Sequence, residues 1–184
     1  MQEILDRWKI KIDYKTILTM WNESHRHYHN QGHLITLIDR INESKSTLES
    51  EKEYDKLILT ALFHDIIYNP KNENNEEKSA EFFLNLCEEK TKDHLDIYQS
   101  IIDTKNHRSS NPLSERFNKL DMEVVEGSMD TLLEWERGIW EEYKIFGSEM
   151  YKAGRLKFLN SLLDKYNHNA GNLLKLIDYV KESY

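Results

Sequence analysis

Two prolines, six glycines and one cysteine are all that 184 residues contain of these types. With so few turn formers, and with no segment alternating apolar and polar residues, a strand-rich architecture is not expected. The single cysteine, Cys87, excludes an internal disulfide and suits a reducing compartment. It sits in the apolar helical pattern "FFLNLCEE", where it reads as a small packed side chain rather than a nucleophile. Long hydrophobic runs are missing too. A stretch such as "LILTALF" (57–63) falls far short of the roughly 20 residues of a membrane span. The first residues, "MQEILDRWKIKIDYK", lack the apolar core of a secretory signal, so the expected location is cytoplasmic. Nor is there a dense stripe of Lys and Arg. The formal net charge is −8, which disfavours duplex nucleic acid as a partner. A small anionic substrate stays possible, because a bound metal ion inverts the local field.

What the chain does have is helical periodicity. At 39% hydrophobic and 32% charged residues it can build one compact core, and no linker or repeat divides it, so a single all-α domain spanning 1–184 is expected. Apolar residues recur at steps of three and four. The pattern predicts helices over 13–22, 33–48 and 54–67, the last being the most apolar and therefore central. Loops follow at "NPKNENN" (69–75) and "NHRSSNP" (106–112). Between them lie a helix capped by Asn75 and running to about Glu89, and one over 93–104 capped by Thr91. A short helix is expected over 114–125, and three closing helices over 128–146, 149–166 and 169–182.

Histidine is concentrated. "HRHYHNQGH" (25–33) holds four of the eight histidines. His29 and His33 are four apart, a spacing that places both on one face at a helix start. "LFHDIIY" then ends the apolar central helix with His64 and Asp65, a pair that is costly to bury without a compensating partner such as a cation. "NKLDMEVV" interrupts an apolar pattern with Asp121, and "DTKNH" places His107 at a helix end. Imidazoles and carboxylates together suit divalent Zn, Mn, Fe, Co or Ni. His25 and His27 are expected to be exposed or to act behind the ligands, and His94 and His168 to be solvated. Trp21, Trp135, Trp140 and Tyr143 are expected to pack between helices.

This ordered set resembles the HD superfamily of metal-dependent phosphohydrolases, whose H…HD…D pattern falls here on His33, His64–Asp65 and Asp121. The resemblance is nearest to the bacterial "predicted metal-dependent HD superfamily phosphohydrolase" group. It extends over most of the chain, through "RHYHNQGH", "ALFHDIIYNP", "NNEEKSA", "IIDTKNH", "EEY" and "YKAGR". "YHNQGH" is also similar to the YHNxxH element of cyclic-nucleotide phosphodiesterases. Two departures stand out: Lys119 replaces the first Asp of an Asp-x-Asp around the last ligand, and Trp140 stands where an Arg precedes "EY". Both bear on substrate preference more than on metal binding.

The resemblance implies an HD-type helical bundle that hydrolyses a phosphoester with a metal-activated water. The implied substrate is a nucleotide or a related small phosphorylated metabolite. His33, His64, Asp65 and Asp121 would hold one ion (Mn, Fe, Mg, Co, Ni or Zn). Asp65 could bridge to a second ion, with His107 as a further ligand. His29 would protonate the leaving oxygen, a task for a group titrating near neutrality. Glu76 would contact metal-bound water, or else simply favour its helix dipole. Arg26, Lys105 and Arg155 are candidates for phosphate. For Arg155 an inter-helix ion pair is the preferred alternative. Three rival classes remain open at this point: an HD-fold di-iron oxygenase, a nucleotide sensor without turnover, and an interaction protein whose histidines are structural.

Overall fold

The computed structural model describes all 184 residues. It is all-α, with ten α-helices joined by short 3₁₀ turns. The one non-helical pairing is an isolated antiparallel bridge between Ile10 and Cys87. No helix is long and apolar enough to cross a membrane. The chain divides into two compact units, Met1–Asp121 and Met122–Tyr184.

The first unit is organised around α4 (Glu51–Phe63). Ser50 starts this helix by accepting the Glu53 N–H, and Glu51 and Glu53 complement the dipole of its first turn. From Leu57 to Phe63 every residue is buried, whichever way it faces. That is the mark of a helix surrounded by others. Around it pack α1 (Gln2–Arg7), α3 (Gln31–Glu43), α5 (Asn75–Leu86), α6 (Lys92–Thr104) and α7 (Pro112–Asp121). Asp13 caps α2 (Tyr14–Trp21) through the Thr16 N–H, and Asn30 caps α3 through the Gly32 N–H. Ile17, Trp21, Leu34, Leu37, Ile41, Phe83, Ile97, Ile101 and Phe117 are fully buried in one continuous core with α4.

The second unit consists of α8 (Met129–Tyr143), α9 (Ser148–Leu162) and α10 (Ala170–Ser183), with α10 packed on the other two. Ser128 caps α8. The buried ion pair Arg155–Glu136 ties α9 to α8 at 2.7 Å, and the Tyr151 hydroxyl donates to the same carboxylate.

Periodicity placed most helices within a few residues of these bounds. Helix α1 went unpredicted, because six residues are too few to establish a period. The central helix stops at Phe63 rather than Ile67, since His64 is already its C-cap. His94 corrects an expectation of solvation: it is buried, and its Nδ1 closes a capping box with Thr91. His25 and His27 are exposed, as expected.

Candidate metal centre

Helix α4 ends inside the protein, so its last carbonyls and those of the turn that follows it need partners other than water. They find them almost one by one. The Thr60 carbonyl accepts the His64 N–H, and the Ala61 carbonyl accepts from His64 Nδ1 at 3.0 Å. The Leu62 carbonyl accepts the buried Trp21 indole N–H at 2.9 Å, and the Phe63 carbonyl accepts the Ile66 N–H. Arg26 takes the carbonyls of Asp65 and Ile66, and Ser79 takes that of Ile67. The Tyr68 carbonyl lies 2.9 Å from His25 Nε2. Termination of the central helix therefore fixes His64 and Asp65 in space.

The bond to Ala61 also decides the chemistry of His64. With Nδ1–H donated to a carbonyl, Nε2 is the nitrogen left to take a proton or a cation, and it faces inward. His33, in the first turn of α3, brings its own Nε2 to 3.4 Å from it. Asp121, the last residue of α7, approaches His33 Nε2 at 3.2 Å and His64 Nε2 at 4.0 Å. One ligand atom from each of these three residues lies within 4.8 Å of the other two, so the cluster could hold a metal ion. Asp65 is adjacent, its Oδ2 3.3 Å from His64 Nε2. His107 meets the other oxygen of Asp121 at 3.3 Å, from a backbone with φ of 48°. That left-handed conformation is uncommon for a non-glycine residue.

Electrostatics give the same account. Burial pushes the charged forms of Asp65 and Asp121 towards neutrality. The His64 and His29 imidazoles beside Asp65, and the His107 and His33 imidazoles beside Asp121, more than offset it. Both carboxyl groups lie below the ordinary carboxylate range. Burial also opposes charge on His64, yet Asp65 and Asp121 outweigh it and raise this imidazole to about 9. On His33 burial wins, and its pKa is lowered. The two carboxylates thus favour positive charge between them, either a proton on His64 Nε2 or a cation in its place. Two imidazoles and a carboxylate suit Zn or another first-row divalent ion better than Mg, which favours all-oxygen sites.

The remaining candidates divide into those that reach this cluster and those that do not. His29 Nε2 stands 4.0 Å from Asp65 Oδ2 with its side chain 21% exposed. Its ring lies 4.5 Å from Tyr68 and meets Tyr28 edge-on at 5.0 Å. Glu76, in the first turn of α5, has its pKa raised by burial, and the nearby Asp65 charge adds to the effect. Lys105 Nζ is bound to the Glu73 carbonyl and, at 2.6 Å, to Glu77. Arg155 belongs to the second unit, where it pairs with Glu136 and lies 4.1 Å from the Trp135 ring centre. Arg26 has no donor to spare: all five of its N–H groups are engaged with Glu23 and three main-chain carbonyls.

Sequence reasoning missed the Ala61 carbonyl, although an i−3 carbonyl is a natural partner for an imidazole at a helix end. It also missed Tyr28 and Tyr68 as the rings flanking His29. No family model, curated protein or solved structure matches the chain.

Proposed function

We propose that the protein is a metal-dependent phosphohydrolase acting on a small phosphorylated substrate of the nucleotide class. One observation carries the reading: residues 33, 64 and 121, distant in sequence, converge as a His–His–Asp cluster beside Asp65, with a partly exposed fourth group, His29, next to it. His33, His64 and Asp121 would hold the ion, with Asp65 joining them. A divalent cation there supplies charge for a phosphoryl oxygen and acidifies a coordinated water.

The chain's own groups do the rest. His64 is held in one tautomer by Ala61, so its ligand nitrogen needs no reorientation. Asp65 sits between His64 and His29 and restrains both imidazoles. His29, part-exposed and packed on Tyr68, would deliver a proton to a leaving oxygen. Asp121 is shared between His33 and His107, which orients it from both sides.

The test is release of phosphate or nucleoside from mono-, cyclic and polyphosphate nucleotides with Mn²⁺, Mg²⁺, Co²⁺, Ni²⁺ and Fe²⁺. An Asp65→Ala protein is the control. Turnover by the wild type that drops at least about a hundredfold in the control is expected. Full turnover by the Asp65→Ala protein would defeat the assignment.

A further inference from the structure

The guanidinium of Arg26 occupies an unusual position. Its side chain is completely buried, although it comes from the loop between α2 and α3. Nε and Nη2 both donate to one oxygen of Glu23 at 3.0 Å, which locks the plane of the group. Nη2 also donates to the Ile66 carbonyl at 3.0 Å. Nη1 makes the informative pair of bonds: 3.1 Å to the carbonyl of His29 and 2.7 Å to the carbonyl of Asp65. One nitrogen thus joins the main chains of the two residues whose side chains face each other at 4.0 Å. The rings of Trp21 and Tyr68 lie on the cation at 5.5 and 5.4 Å, so it cannot swing out to meet a substrate without abandoning every partner.

We infer that Arg26 is a positioning residue, the strut that sets the spacing between the His29 segment and the Asp65 segment across the metal cluster, and not a phosphate ligand. The inference rests on the proposed function for the metal centre it serves and for the role given to His29. The strut itself is a matter of main-chain geometry. Lysine could not replace it. An ammonium radiates three donors from one atom, whereas these carbonyls and Glu23 require a planar fork with five. The bonds also place a cation at the carbonyl end of α4, where the helix dipole favours it.

The experiment measures Mn²⁺ and Zn²⁺ affinity of the full chain for wild type, Arg26→Ala, Arg26→Lys and Glu23→Gln. Asp55→Asn serves as a control for stability loss alone. Asp55 is buried and accepts the Trp8 indole N–H, and neither residue belongs to the cluster. Groups that orient ligands from behind typically cost about 10- to 100-fold in metal affinity when removed. A loss of about that size is expected for Arg26→Ala, and nearly as much for Arg26→Lys. Millimolar guanidinium chloride should restore part of the affinity in Arg26→Ala, and equal concentrations of ammonium chloride should not. Asp55→Asn should melt earlier and bind metal as the wild type does. If Arg26→Ala does not fold, Glu23→Gln carries the test, because an unlocked guanidinium should cost a few-fold in affinity. Folded Arg26 variants with wild-type affinity, or rescue by ammonium as good as by guanidinium, would overturn the inference while leaving the hydrolase reading intact. A wild type that binds none of these ions would overturn both.

Discussion

The imidazole of His64 makes a quantitative claim about metal binding. Asp65 and Asp121 raise it to about 9, against an ordinary 6.5. His33, His29 and His107, the other imidazoles at the cluster, do not reverse that rise. At pH 7.5 a group with a pKa of 9 is about 97% protonated. A cation that takes the Nε2 lone pair must expel that proton, so close to one proton should be released per ion bound. Apparent affinity should then rise about tenfold per pH unit, or 1.4 kcal/mol, from pH 6.5 and level off near 9. The metal-free protein should show the opposite trend. A folded-state pKa raised above the unfolded value gives stability that is fully present below pH 6.5 and is lost as pH rises through 9. The loss is on the order of 3 kcal/mol, since a pKa difference of one between the folded and unfolded chain is worth about 1.4 kcal/mol. Adding metal at a hundred times its dissociation constant should return about 2.7 kcal/mol at any pH. Calorimetric titration in buffers of different ionisation enthalpy counts the protons, and urea unfolding with chelator or with Mn²⁺ measures the stabilities. No proton released at pH 7.5, together with an affinity flat between pH 7 and 9, would refute a His64 that is both protonated in the metal-free protein and displaced from its proton by the ion.

Two further tests concern the packing that supports the cluster. Trp21→Phe leaves the buried Leu62 carbonyl without its donor and opens a small void where the larger ring was, which together should cost at least about 1–3 kcal/mol in urea unfolding with an unaltered m-value. An unchanged midpoint would mean that this carbonyl is satisfied without the indole. Cys87 is buried, and its thiol is raised to about 11 by desolvation, so alkylation at pH 8 should be slower by orders of magnitude than in 6 M urea. Complete labelling of the native protein within minutes would contradict its placement against Ile10.

The helices were legible in the sequence wherever an apolar stripe ran for ten residues or more, and so was the ordered series of His33, His64, Asp65 and Asp121. Of that series, His33, His64 and Asp121 are brought together as a cluster that could hold a metal ion. What could not be read was the allocation of long-range partners. His94 looked solvated because its neighbours in sequence are polar. Its Nε2 lies 3.4 Å from the Trp8 carbonyl, 86 residues away in the chain. Lys105 looked available for phosphate, yet Glu73 and Glu77 come from a loop and a helix about thirty residues earlier. Arg26 is the clearest instance. A charge among histidines suggests an anion, and nothing local shows that three main-chain carbonyls will surround it.

That allocation follows from a single constraint. A central helix that ends in the interior exposes carbonyls that water cannot reach, its own and those of the turn after it, and an unsatisfied buried acceptor costs about 1–3 kcal/mol. Trp21, Arg26 and His25 lie on or just after α2 and supply the donors for the carbonyls of Leu62, Asp65, Ile66 and Tyr68. The same segment continues into His29 and the first turn of α3, which carries His33. The histidine-rich stretch therefore both holds the turn that follows the central helix and forms one wall of the His–His–Asp cluster. A substitution that weakens this hold displaces a ligand, so stability and metal affinity should fall together along this segment. At Asp55, on the far end of α4, they should separate.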